Sequence, residues 1–157
     1  MALSSSLLSS DRMDWATPDA LFRALDGEFA FTLDAAASSQ NTKCPAFFDE
    51  EANGLERNWA DAAKGGCVWV NPPYGRAIGQ WVAKGWEEYT RGARVVMLVP
   101  ARPDTRWWSV ATRAPQVRFI RGRVRFVGAD APAPFPSALV VFDLAYHRPC
   151  YDWMDSP

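Results

Sequence analysis

Apolar runs and amphipathic stretches alternate along this chain. "ATPDALFRALDG" predicts a helix: Thr17 can cap it, Pro18 suits the first helical position and Gly27 suits the stop. "FAFTLDAAA" reads as a strand that turns at Asp34, "PAFFDE" as a short second strand and "CVWV" as a third. Apolar residues at 78, 81, 82, 86 and 89 then follow helical spacing and mark one buried face. "ARVVMLVP" is apolar without alternation, as a strand covered on both faces would be. A helix is expected around 104–112. "QVRFI", "RVRFV" and "SALVVF" predict strands, the first two joined at Gly122. This order predicts an α/β sheet, parallel at first and finishing antiparallel. Ligands of such sheets lie beyond the carboxyl ends of the strands. Asp34, Asp49, Asn71 and Pro100 all fall there, so one shared cleft is expected.

Length and composition narrow the class. At 157 residues one domain is expected. Residues 1–12 read as a flexible Ser-rich tail, 13–145 as the folded domain and 146–157 as a C-terminal tail without period. No apolar run is long enough for a membrane span, and the N-terminus lacks the pattern of a signal peptide, so a cytoplasmic protein is expected. The net charge of −1 argues against coating nucleic acid through bulk charge, yet leaves room for a local basic face. Cys44, Cys67 and Cys150 have no metal-ligand spacing and His147 is the single histidine, so no metal is expected. Eight tryptophans can serve the core or line a flat aromatic pocket.

The segment with the most chemistry is "VWVNPPYG". A strand ends abruptly in Asn71-Pro72-Pro73-Tyr74. An amino group on an aromatic base is a poor nucleophile because its lone pair is delocalised into the ring. Two acceptors on its N–H groups would draw the nitrogen toward sp³ geometry. The Asn71 side-chain oxygen is one such acceptor, and the Pro72 carbonyl, held rigidly between two prolines, is a natural second. Tyr74 offers a flat face for a base, and Gly75 lets the chain turn closely into the next helix. No strong general base is required. The plainer alternative is a Pro-rich turn that follows a strand.

Asn71-Pro72-Pro73-Tyr74 resembles the catalytic motif of S-adenosylmethionine-dependent amino-group methyltransferases. Together with "DWATPDALFRALDGEF", "FTLDAAASSQNTKCPAFFDEEANGL", "VVMLVPARPDTRWW", "FIRGRVRF" and "FPSALVVF", the chain resembles the small phage-type DNA adenine-N6 methyltransferases, over roughly residues 13–143. The resemblance implies a Rossmann-like methyltransferase fold: a mostly parallel sheet, helices on both faces and an antiparallel C-terminal hairpin. It implies S-adenosylmethionine as cofactor and a phage or prophage origin. "TLDAAAS" would take the role of the first cofactor motif, with Asp34 near the methionine amino group and the amides of Ala35 and Ala36 close to the ligand. Alanines stand here where most methyltransferases place glycines. Trp15, Thr17 and Pro18 match the Thr-Pro segment that lies over the cofactor's methionine end. Asp49 or Glu50 could bond the ribose hydroxyls, and Asn53 the adenine edge.

Arginines crowd residues 102–125, where Asp104 is the only acid. Arg102, Arg106, Arg121, Arg123 and Arg125 suit DNA phosphates, as do Arg113 and Arg118. Trp107, with Trp108, could flank an extruded base. A solvated strand edge would carry the same charges. DNA is therefore the expected partner, with its target adenine flipped out of the duplex. Two further readings stay open: a cytosine-N4 methyltransferase, and a nucleic-acid-binding relative that has lost catalysis.

Overall fold

The computed structural model describes residues 15–146 and 150–157. The tail expected over 1–12 and His147 lie outside them. The chain orders as α1 (Asp19–Phe29), β1 (Phe31–Asp34), β2 (Ala46–Phe47), a 3₁₀ turn (Gly54–Glu56), α2 (Trp59–Ala63), β3 (Cys67–Val70) and α3 (Ile78–Thr90). Then follow β4 (Arg94–Pro100), α4 (Trp108–Ala111), β5 (Gln116–Arg121), β6 (Ser137–Phe142) and β7 (Tyr151–Asp155).

The strands form one seven-stranded sheet in the order β2-β1-β3-β4-β6-β5-β7. β2, β1, β3 and β4 run parallel, β6 is antiparallel to both its neighbours, and β7 is parallel to β5. The chain leaves β1 toward β2 on one side and returns through β3 on the other. A crevice opens where the direction of winding reverses, at the carboxyl ends of β1 and β3.

β3, β4 and β6 are the apolar centre. Every residue of β3 and β6 is buried, and so is all of β4 beyond Arg94. Val70 and Met97 are in register, and Met97 meets α3 at Gly85, where an added Cβ would lie 2.7 Å from the Met97 sulfur. Trp69, one residue before Val70, points the other way. Its ring lies 5.6 Å from Phe22 of α1.

Five local features differ from the sequence reading. Thr17 does not cap α1. Pro18 occupies the N-cap position, and the helix runs through Gly27 to Phe29 before Ala30 ends it with φ 54°. One glycine in a helix costs about 1 kcal/mol, whereas burying Phe29 gains about 2 kcal/mol. The buried stripe of α3 is Ile78, Trp81, Val82, Gly85 and Glu88. Glu88 is fully buried because its carboxylate accepts from the Trp59 and Ala60 amides at the start of α2, at 2.9 and 3.1 Å, and is paired with Lys84. Asn58 also caps α2 locally, its side-chain oxygen accepting from the Asp61 amide at 3.0 Å. The helix expected over 104–112 shortens to α4.

The last two differences concern the C-terminal third. "RVRFV" is not a strand, so the tight hairpin at Gly122 does not form. β5 is already paired on both sides, by β6 and β7. The antiparallel β5–β6 pair is joined by residues 122–136, which bury Val124, Phe126 and Ala133. Residues 151–155, expected as part of a tail, form β7. Its ladder to β5 supplies the backbone bonds, and the Tyr151 ring stacks on Phe119 at 6.2 Å. A parallel edge strand has no turn signal beside it, so sequence alone does not reveal it.

Candidate active site

Asn71 is the first residue beyond β3, set by four buried strand residues behind it. Its side-chain nitrogen donates to the Thr17 hydroxyl at 2.9 Å and to the Trp15 carbonyl. A backbone carbonyl can only accept, so the amide can face in one direction only. Oδ1 is thereby aimed away from both groups. It is out of solvent and accepts no hydrogen bond. Among the described residues, Ser137 Oγ is the one other buried side-chain polar atom in that condition. An unused buried acceptor costs about 1–3 kcal/mol, which a donor arriving at this point would recover.

Tyr74 differs from the open platform expected of it. It is buried, its hydroxyl donates to the Leu98 carbonyl at 3.0 Å, and burial holds its pKa well above the usual range. Phe126 and Phe135 approach its ring edge-on, with centroids 6.1 and 5.5 Å away. Both also pack on Trp15 at 5.3 Å. The 122–136 segment thus closes over Tyr74. It is tied to residue 16 by the Val127 amide, which donates to the Ala16 carbonyl.

A cavity of about 260 Å³ opens at the carboxyl ends of β1 and β3. Of the residues expected to meet cofactor, Trp15, Thr17, Asp34, Ala36, Asp49 and Asn53 line it. Asn71, Pro72 and Pro73 form its wall on the side of the motif. Pro18, Ala35 and Tyr74 do not line it, nor does Pro100, which pairs with Ser137 instead. Glu50 does line it.

Asp34 is 3% exposed. Its carboxylate accepts from the Lys43 amide at 2.9 Å and, more weakly, from the Ala36 amide at 3.3 Å. Burial pushes its pKa up to about 6, against the pull of those two amides. Asp49 is part of a turn, accepting from the Ala52 amide at 2.9 Å. That turn sets Asn53 at φ 51° and brings Gly54 onto the alanine loop. A Cβ on Gly54 would lie 2.0 Å from the Ala35 carbonyl oxygen. The close backbone approach that glycines normally permit within this loop is therefore supplied from outside it.

Several lining residues were not singled out from sequence. Phe48, Trp69 and Trp81 present aromatic surface, and Asn41 and Lys43 add polar groups. Trp69 and Trp81 were hidden by their core-like periodicity. Asn41 had a faint local signal, since its side chain accepts from the Ser38 amide three residues earlier.

None of the expected DNA-contacting residues lines the cavity. Arg102, Arg106, Arg121, Arg123 and Arg125 are exposed. Arg102 lies over the Phe135 ring at 5.8 Å, Arg121 is 3.5 Å from Asp155, and Arg125 donates to the Asp130 carbonyl. Trp107 is half-buried against Trp108 and Gly79. Two arginines of the cluster have structural work. Arg118 forms a two-pronged pair with Glu28 and covers Phe29 and Tyr146, joining β5 to α1. Arg113 covers Trp86.

Residues 4–149 match the sequence model of the family described as DNA N-6-adenine-methyltransferase (Dam). A DNA N-6-adenine-methyltransferase of Escherichia phage T1 is 38% identical over 98 residues, which is 62% of this chain and 40% of the phage protein. A protein of Escherichia coli (strain K12) with the provisional name methyltransferase YfdM is 36% identical over 63 residues, 38% of this chain and 69% of that protein. The chain thus aligns with about two fifths of the phage relative's length.

Proposed function

The chain belongs to the DNA N-6-adenine-methyltransferase (Dam) family, and from that premise we propose that it methylates the exocyclic N6 amino group of adenine in DNA, with S-adenosylmethionine as donor. The observation that carries this reading is the Asn71 oxygen, a buried acceptor without a donor at the end of β3. The phage relative bears the same activity in its name.

The cavity beside Asn71 fits the cofactor chemically. Asp34 is a buried acid suited to an ammonium group, Asp49 and Glu50 suit hydroxyls, and Asn53 with Phe48 and Trp81 suits a flat heterocycle. Ala35 and Ala36 shape the loop. Thr17 and Trp15 close the end nearest the motif, with Pro18 just outside. When bound, S-adenosylmethionine supplies an electrophilic methyl group.

The chain's own part is to prepare the amino group. Asn71 Oδ1 and the Pro72 carbonyl each accept one N–H of the target, which raises electron density on the nitrogen. Pro73 keeps that carbonyl from moving, so little reorganisation is needed at reaction. The proton released on transfer can leave to solvent without a dedicated base. Tyr74 stands behind these groups, and a base that stacks on it must displace the rings of Phe126 and Phe135. Such a base has to leave the duplex. Arg102, Arg106, Arg121, Arg123 and Arg125 are proposed to hold phosphates, with Trp107 flanking the extruded base. The family implies a Rossmann-like form with helices on both faces. Trp69 against α1 and Met97 against α3, on opposite sides of the sheet, support it.

The test is direct. DNA incubated with protein and S-adenosylmethionine is digested to nucleosides and weighed. N6-methyl-2′-deoxyadenosine is expected from the wild type and is absent with Asn71→Ala. N4-methyl-2′-deoxycytidine instead would overturn the choice of base.

A further inference from the structure

We infer that Thr17 is a positioning residue for the transfer step: with the Trp15 carbonyl it fixes the Asn71 carboxamide so that oxygen, and not nitrogen, faces the target. This rests on the proposed role of Asn71. It departs from the role that family resemblance gives the Thr-Pro segment, which is contact with the cofactor.

The geometry carries it. Thr17 is 2% exposed, and its hydroxyl receives the Asn71 amide at 2.9 Å from 54 residues away. It neither caps α1 nor needs to, since the helix begins without a side-chain cap. The Trp15 carbonyl takes the second amide proton. Both donors of the carboxamide are therefore spent, and its two-fold ambiguity is removed. The 15–17 strip is itself held from behind. Phe126 and Phe135 clamp the Trp15 ring, and the Val127 amide holds the Ala16 carbonyl. A carboxamide turned over would set Oδ1 against the Trp15 carbonyl and present N–H groups to an incoming N–H donor. The motif would then repel the group it has to grip.

The arrangement also separates Asn from Asp at position 71. A carboxylate has no N–H for Trp15, so two oxygens would face each other. In this scaffold the two residue types are not interchangeable.

The test uses Thr17→Val, which keeps the shape and removes the acceptor, and Thr17→Ser, which keeps the acceptor. In protein labelled with ¹⁵N at asparagine, the Asn71 side-chain protons are expected to exchange slowly in wild type and Thr17→Ser, with one proton exchanging faster in Thr17→Val. The kcat of Thr17→Val should fall about tenfold, the loss of roughly one hydrogen bond. The Kd for S-adenosylmethionine should change less than twofold, and Thr17→Ser should restore most of kcat. Unchanged exchange in Thr17→Val overturns the inference, and so does a wild-type kcat or a weakened cofactor Kd that accounts for the loss. A wild type that methylates no adenine overturns the proposed function instead, and the exchange measurement still decides whether Thr17 sets the amide.

Discussion

Gly54→Ala should disable the proposed cofactor side of the site by adding one methyl group. The new Cβ would lie 2.0 Å from the Ala35 carbonyl oxygen and 3.2 Å from the Trp81 ring. Carbon and oxygen rest at roughly 3.3 Å or more, so something must move by over about 1 Å. Ala35 cannot yield easily, because it is fully buried and its amide donates to the Trp69 carbonyl at 3.0 Å. Overpacking of this kind costs about 1–3 kcal/mol. For a domain of this size each kcal/mol lowers Tm by about 2–4 °C, so a drop of roughly 2–12 °C is expected by calorimetry. The displaced loop carries Asp34 and Ala36, so titration of S-adenosylmethionine should show at least a tenfold weaker Kd. Gly27→Ala is the matched control. It adds the same methyl in α1 with nothing within 4 Å and should stabilise by about 1 kcal/mol through helix propensity. If Gly54→Ala kept wild-type Tm and affinity, the close approach would not be what shapes this loop.

Other expectations follow from single groups. Asp34 has its folded pKa raised by burial from 3.8 to about 6, so its stability contribution is complete below pH 4 and is lost as pH rises through 6. That loss is about 3 kcal/mol, and comparing the Tm–pH curves of wild type and Asp34→Asn should isolate it. Since an ammonium favours the carboxylate, S-adenosylmethionine should bind more tightly as pH rises through about 6, and a flat affinity between pH 5 and 7 would detach Asp34 from the ligand. Asn71→Asp should lose more than tenfold in kcat while folding normally by circular dichroism. Arg123→Ala and Arg121→Ala should weaken DNA binding and flatten its salt dependence. Arg118→Ala should leave that salt slope unchanged and lower Tm, because its guanidinium holds Glu28 and covers Phe29.

Periodicity and punctuation were enough for β1, β3, β4, β6 and α3, because burying a strand on both faces or a helix on one leaves a local trace. The same holds for the placement of Asp34 and Asn71 at strand ends. Tertiary structure decided whatever depends on partners distant in the chain. Glu88 caps a helix 28 residues away, β7 exists through its ladder to β5, and "RVRFV" is no strand because β5 has no free edge. At the site, an alanine-rich loop works beside a glycine that lies in "ANGL", and a threonine that reads as a helix cap is the acceptor for Asn71. Residue types fix what a group can donate or accept. Only the folding of residues 15–17 and 122–136 onto the end of β3 settles which way the Asn71 amide faces.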